Sequence, residues 1–189
     1  SARHIFDRAT AVPYKSLEEL ATVWCSWAET EMRLEHYEEA LETMQRAVTE
    51  PKASADRRKA RAKAEGKGQD YEREIPVQDR VYKSTKVWSL YLDLEESLGT
   101  TDTTRTAYDR AMELGIVTPQ MVLNYAAFLE EKEYFEDSFK AFERGIAMFE
   151  YPHVKPLWIA YLDKFIQRYE GTKLERLRDM FEQAVSNIP

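Results

Sequence analysis

One short block recurs through this chain and narrows its fold more than any other feature. It is a bulky apolar residue, then an acid or amide, then Arg or Gln, then Ala or Gly. It reads FDRA at 6–9, MQRA at 44–47, YDRA at 108–111, FERG at 142–145 and FEQA at 181–184. Successive copies start 38, 64, 34 and 39 residues apart, and three of these intervals fall where arrays of stacked helical repeats fall. Each later copy has an upstream anchor. Trp24 stands 20 residues before MQRA, Trp88 20 before YDRA, Val122 20 before FERG, and Trp158 23 before FEQA. A repeating unit thus has two halves, an anchor early and the block late.

Both halves read as helices. Phe135, Phe139, Phe142, Ile146 and Phe149 recur at steps of 4, 3, 4 and 3, and Leu174, Leu177, Phe181, Ala184 and Ile188 at 3, 4, 3 and 4. Such spacing puts one apolar stripe on an α-helix and fits no strand. Among the first halves, Trp88, Tyr91 and Leu98 align on one face, as do Trp158, Tyr161, Phe165 and Tyr169. Ser16 with Glu19, and Thr172 with Glu175, have capping-box spacing. Thr118-Pro119 and Pro156 suit helix starts, and Gly99 and Gly115 suit left-handed helix ends. Nine helices are predicted, over about 2–12, 17–34, 37–50, 79–98, 102–114, 119–131, 135–150, 156–169 and 173–187. Short connections make each pair antiparallel, and stacked pairs give an all-α fold, a right-handed α-solenoid.

The expected organisation over 1–189 is a single array. It has a second-half helix at 1–14, a repeat at 17–50, a basic flexible insert at 51–78, and repeats at 79–114, 118–150 and 153–188. The residues expected to build the repeat interfaces are Phe6, Trp24, Trp27, Glu31, Met44, Ala47, Trp88, Tyr91, Glu95, Tyr108, Ala111, Tyr125, Phe142, Gly145, Trp158, Tyr161, Phe181 and Ala184. In each block the bulky residue packs into a partner helix and the small one lets helices approach. Glu31 and Glu95 each fall seven residues after a core Trp. On a buried stripe a carboxylate needs partners, so each is expected to accept hydrogen bonds from a Tyr, Trp or Arg of a neighbouring helix.

Charge is uneven. The chain carries −7 overall, yet residues 52–67 hold seven Lys or Arg against Asp56 and Glu65. That segment is +5 and the remainder −12, so only the insert invites nucleic acid. Lys52, Arg57, Arg58, Lys59, Arg61, Lys63 and Lys67 are its candidate contacts to RNA phosphates or an acidic partner; the plain alternative is a solvated mobile loop, with ADRRKARAKAE transiently helical. The aromatic stripes read as core rather than as base-stacking platforms, which interleave aromatics with basic residues on an open face. Signatures of chemistry are lacking. His4, His36 and His153 lie far apart with no zinc spacing, GKG at 66–68 lacks the rest of a P-loop, and the acidic pairs Glu95-Glu96 and Glu130-Glu131 sit at helix ends, where adjacent residues point in different directions and make no catalytic dyad. A lone Cys25 beside Trp24 and Trp27 reads as a buried, inert thiol in a reducing compartment. No apolar run reaches the roughly 18–20 residues of a membrane span, and SARHIFDRAT has no signal-peptide apolar region. No catalytic centre, cofactor, metal, membrane or small-molecule substrate is expected.

Trp24–Trp27–Glu31 and Trp88–Tyr91–Glu95, each followed by an FDRA-like block, resemble the HAT repeat of RNA-processing proteins. The units at Val122 and Trp158 depart from it, with Leu129 and Phe165 where the Glu would stand. From Pro76 onward, PVQDRVYKSTKVWSLYLDLEESLGT, TPQMVLNYAAFLEEKEYFEDSFKAFERGI and LWIAYLDKFIQRYEGTKLERLRDMFEQA resemble the spliceosomal scaffolds of the Syf type, whose animal counterpart is a xeroderma-pigmentosum-A-binding protein. The resemblance covers essentially the whole chain and is least at 51–75. It implies a nuclear, non-catalytic component of the NineTeen and intron-binding complexes in pre-mRNA splicing. It also implies partners: a crooked-neck-like HAT scaffold, an Isy-type factor and an Aquarius-type helicase. Rival expectations are an RNA-binding module carried by the insert, a HAT scaffold of another RNA-processing complex, and an enzyme subunit like the helical-hairpin α-subunits of prenyltransferases.

Overall fold

The structure, a computed structural model, describes residues 1–63 and 75–189. Among the described residues all regular elements are helical. They are α1 (Ala2–Thr10), α2 (Leu17–Arg33), α3 (Tyr37–Val48), α4 (Lys52–Lys63), α5 (Thr85–Leu98), α6 (Thr101–Glu113), α7 (Pro119–Glu131), α8 (Phe135–Ile146), α9 (Lys155–Tyr169) and α10 (Leu174–Ser186), with 3-10 turns at Val77–Asp79 and Val81–Lys83. None of them is long and apolar enough to cross a membrane.

Two compact units divide the chain, Ser1–Ala107 and Tyr108–Pro189. In the first, α2 packs on α1, α3 and α5, and α3 packs on α5. Leu20, Ala21, Trp24, Trp27, Met44, Val87 and Trp88 are buried there. In the second, α7 packs on α8, and α9 on α7, α8 and α10. Its core joins Phe139, Phe142, Val154, Trp158, Tyr161, Phe165, Met180 and Ala184. Neither helix of a pair is apolar all round, so each stripe is hidden only by its neighbours.

Local chemistry sets the ends. Ser16 and Glu19 form a reciprocal capping box at α2. The Thr118 hydroxyl accepts from the Met121 amide, with Pro119 opening α7. At α6, the Thr100 hydroxyl accepts from the Thr103 amide at 3.1 Å and the Thr103 hydroxyl from the Thr100 amide at 2.8 Å. The turns inside the α2–α3 and α7–α8 pairs share one device: Glu35 (φ 61°) and Glu133 (φ 65°) adopt the left-handed conformation.

Four expectations change. The helix predicted from 79 begins at Thr85, because Ser84 caps it by accepting from the Val87 amide, and the two 3-10 turns ahead bury Val77, Val81 and Tyr82. Thr172 and Glu175 do not form a capping box. Lys173 holds the position ahead of α10 with φ 53°, and the Thr172 hydroxyl donates back to the Tyr169 carbonyl at 2.7 Å. Gly99 ends α5 with φ −84°, not left-handed. It is required for space, since a Cβ there would lie 2.2 Å from Glu95 Oε2 and 2.8 Å from the Glu95 carbonyl oxygen; Gly115, at φ 69°, is left-handed as expected. Lastly, residues 52–63, expected as mobile loop, form α4, since an Ala-, Lys- and Arg-rich run favours helix and two of its arginines are fastened to neighbouring acids. The rest of the basic run, including Lys67, lies outside the described residues.

Candidate interaction surfaces and the junctions behind them

The recurring block builds junctions between successive helix pairs, and its first residue stacks on an aromatic. Phe6 of α1 lies on Trp27 of α2 with centroids 5.9 Å apart and planes at 7°. Tyr108 of α6 lies on Tyr125 of α7 at 4.6 Å and 3°, and Phe142 of α8 on Tyr161 of α9 at 5.4 Å and 16°. The receiving ring always stands three residues after the anchor: Trp24, Val122 or Trp158. Met44, the aliphatic member of the set, is fully buried on α3, which packs on α5.

The second residue of the block holds the polar half. Asp109 Oδ1 accepts the Tyr125 hydroxyl at 3.1 Å and Arg144 Nη1 at 2.7 Å. Glu143 Oε1 accepts the Tyr161 hydroxyl at 2.6 Å, and Arg176 Nη2 comes within 3.7 Å of it. Asp7 Oδ1 accepts Arg46 Nη2 at 3.1 Å. Arg46 and Arg144 are the third residue of their own blocks. Where FEQA has Gln183 there, Arg176 of the same helix takes over. Arg46 also lies 5.4 and 5.3 Å from the Trp24 and Trp27 rings, within cation–π range. Burial, then the Glu143 hydrogen bond, push the Tyr161 phenol well above its usual range. The sequence showed an acid or amide at this second position; its role needed the partner helices.

The fourth residue lets helices close. Ala47, Ala111, Gly145 and Ala184 are all buried. At Gly145 a Cβ would sit 2.5 Å from Val122 Cγ1 across the α7–α8 contact. Trp24, Trp88, Tyr91 and Trp158 are buried as well, but Phe181 is 45% exposed, against 3% for Phe142.

The two buried glutamates differ. Glu31 accepts Arg3 Nε at 2.7 Å and Nη2 at 2.9 Å from α1, and Trp27 Nε1 at 3.3 Å, while His36 Nδ1 lies 2.9 Å away. The Arg3 hydrogen bonds hold its carboxyl down at about 2, against burial that pushes it up. Arg3 and His36 carried no sequence signal, being an isolated cation and an isolated imidazole far along the chain from one another. Glu95 has no such neighbour-helix partner among the described residues. Its Oε1 accepts the Tyr91 hydroxyl from its own helix at 2.9 Å, and its buried Oε2 has no hydrogen bond.

On the outside, Arg57 Nη2 pairs with Asp79 at 2.6 Å, and Arg58 makes two bonds, 3.2 and 3.1 Å, to Glu50. These two cations pin α4; Lys52, Arg58, Lys59 and Arg61 are all exposed, and Lys63 closes the helix. Ile159 and Ile166 are exposed on α9. A groove in the second unit is lined by Ile146, Phe149, Tyr151, Trp158 and Gln183. Cys25 is buried and burial raises its thiol. Among the described residues no three His, Cys, Asp or Glu side chains cluster as metal ligands would.

Residues 1–189 match the family described as "Pre-mRNA-splicing factor Syf1/CRNKL1 C-terminal HAT repeat". The chain is 50% identical over 188 residues to the pre-mRNA-splicing factor SYF1 of Homo sapiens, covering 100% of this chain and 20% of that protein. It is 49% identical over 188 residues to the pre-mRNA-splicing factor cwf3 of Schizosaccharomyces pombe, covering 100% and 22%. Against the SYF1 of Dictyostelium discoideum the identity is 45% over 188 residues, covering 100% and 21%. The chain spans about a fifth of the length of these relatives. With its helix pairs and repeated junctions, it belongs to the Syf1/CRNKL1 C-terminal HAT-repeat family of pre-mRNA-splicing factors.

Proposed function

We propose that this chain is a non-catalytic protein-docking segment of a nuclear scaffold in pre-mRNA splicing. The carrying observation is that the recurring letters of the block are consumed by internal junctions: stacked rings, Tyr–carboxylate bonds and Arg–carboxylate pairs. What remains outside is helix surface that is mostly polar with exposed apolar side chains such as Ile159 and Ile166, suited to presenting docking patches rather than to chemistry. The splicing assignment is supported by relatives named pre-mRNA-splicing factors. The repeat division is 17–50, 79–114, 118–150 and 153–188, preceded by a second-half helix at 1–14 and interrupted by the basic insert at 51–78. The partners are spliceosomal proteins, with a crooked-neck-like HAT scaffold, an Isy-type factor and an Aquarius-type helicase as the specific candidates.

The test is affinity purification of the tagged chain from nuclear extract, with and without nuclease. Retention of those splicing proteins after RNA is digested supports protein docking. Their loss on digestion, with direct RNA binding by the purified chain, would replace it with the RNA-binding reading. That rival is weakened by Arg57 and Arg58 being engaged with Asp79 and Glu50.

A further inference from the structure

Gln183 breaks the recurring block at its third letter, which is Arg8, Arg46, Arg110 and Arg144 in the four earlier copies. What that arginine does inside a junction is shown by Arg46 in the first unit. It lies 5.4 and 5.3 Å from the rings of the anchor Trp24 and of Trp27, three residues on. It also pairs at 3.1 Å with Asp7, the second letter of the preceding block. The corresponding set in the second unit is the anchor Trp158, Tyr161 three residues on, and Glu143 from the preceding block. There Gln183 is exposed, and a cleft of about 360 Å³ is lined by Glu143, Trp158, Tyr161, Asp179 and Gln183 among others. Through Ile146, Trp158 and Gln183 it runs on into the groove past Phe149 and Tyr151.

Arg176 replaces the charge of the missing arginine but not its place. Its guanidinium pairs with Glu136 at 3.3 Å, lies 4.9 Å from the Phe165 ring, and comes within 3.7 Å of Glu143. Arg46 and Arg144 stand at 3.1 and 2.7 Å from their acids. Half of the Glu143 side chain is exposed. The carboxylate of Asp179, exposed on α10, has no ion pair or hydrogen bond among the described residues. An aromatic wall between two carboxylates suits a flat cation that stacks and pairs at once, so it favours guanidinium over ammonium. The same carboxylates repel phosphate.

We propose, resting on the protein-docking reading above, that this cleft receives one arginine side chain from a partner protein. Its guanidinium lies against Trp158 and pairs with Glu143 and Asp179, and an apolar neighbour of that arginine enters the groove along Ile146 and Phe149. The partner thereby supplies at the third pair what Arg46 supplies internally at the first. The chain's own Arg178 is engaged with Glu182 along α10.

The probe is the blocked peptide acetyl-Gly-Leu-Arg-Leu-Gly-amide, titrated into the ¹⁵N-labelled chain while the indole signals of its four tryptophans are followed. The Trp158 indole, assigned through Trp158→Phe, shifts and saturates with a Kd of about 1 mM, while those of Trp24, Trp27 and Trp88 stay in place. A lysine version of the peptide binds about fivefold more weakly, and a citrulline version, which has no charge, does not saturate. Gln183→Arg fills the cleft from within and abolishes the response. Asp179→Asn weakens binding about threefold at an unchanged melting temperature, and it decides alone should Gln183→Arg not fold. An unmoved Trp158 indole, an equal response to citrulline, or undiminished binding by the folded variants overturns the proposal. The occupant is then identified with a photo-crosslinking residue at Ser186, exposed at the lip of the groove, in nuclease-treated nuclear extract. The captured segment belongs to a splicing protein, contains an arginine, and is lost in Gln183→Arg. Capture of a second copy of this chain, or of RNA before digestion, overturns the proposal. Splicing proteins retained and crosslinked equally by the natural chain and Gln183→Arg refute the arginine site and leave docking standing. Retention of none by the natural chain refutes the docking reading, and the partner with it.

Discussion

Glu31 shows how much one carboxylate contributes once its partners arrive from elsewhere. Its oxygens take Arg3 from α1 and Trp27 from its own helix, with His36 at the start of α3 beside them. Held at about 2, it sits below the roughly 4.3 of an unfolded glutamate. The stabilisation from its ionised form is therefore complete above the unfolded value and disappears as pH falls through about 2. Melts from pH 5 down to 2 should show the natural chain losing stability faster than Glu31→Gln. At pH 7 that substitution should cost about 1–3 kcal/mol, since it removes a charged acceptor from buried donors. Parallel curves for the two would refute the role. Glu95 belongs to the same sequence pattern, yet among the described residues its carboxyl has only Tyr91 as hydrogen-bond donor. Tyr91→Phe, which leaves that buried carboxyl with no donor, should destabilise the first unit by about 1–3 kcal/mol in denaturant titrations, whereas Glu95→Gln should be tolerated. The sequence placed both glutamates on a buried stripe; it could not supply Arg3 and His36, which reach Glu31 from another helix and from the far side of a turn, nor show that Glu95 would be met by Tyr91 of its own helix.

Helices were legible because the 3.6-residue period of apolar side chains is written into the chain itself. Their starts were legible where a side chain caps its own backbone, as at Ser16 and Thr118. At Thr172 the same letters failed, since the hydroxyl turned back to the preceding helix. Helix α4 carries almost no apolar stripe, so periodicity passed over it; the ion pairs to Glu50 and Asp79 hold it. Changing Arg57 and Arg58 together to Ala should raise amide exchange across 52–63, with a global cost within about 1 kcal/mol because the pairs are partly solvated. Helix contact also explains the lone glycine among the blocks. Gly145→Ala gains helix propensity but drives a methyl into Val122, and the net should be a loss of about 1–3 kcal/mol. In a Val122→Ala background the same change should be neutral or favourable. Additive losses would show that the α7–α8 approach does not set this residue.

For the whole molecule the bearing question is what an acidic chain with one basic segment does. Had all seven cations of residues 52–67 been free for phosphates, single-stranded RNA affinity would fall with a log–log salt slope of about −5. Among the described residues at least Arg57 and Arg58 are held internally, so the slope expected from anisotropy titrations is no steeper than about −3.5. A slope near −5 would mean that RNA pulls Arg57 and Arg58 off Asp79 and Glu50. The stacked repeats put the main demand on packing, and Trp88, 1% exposed, is the most buried of the tryptophan anchors. Trp88→Ala should cost about 3–5 kcal/mol through the cavity it leaves, read as loss of the cooperative transition of the first unit.

Taken alone, the order of letters determined the all-α class, the pairing of anchor and block, and the inward face of nearly every helix. Those follow from periodicity, which a chain carries locally. Three-dimensional packing decided the rest: that the second letter of two blocks, Asp109 and Glu143, is a carboxylate for a tyrosine and an arginine, that Gly99 and Gly145 are there for space, and that Phe181 lies open while Phe142 is covered. Identical letters took different roles because hydrogen bonds and contacts depend on which helix arrives opposite, and that is a property of the assembled structure.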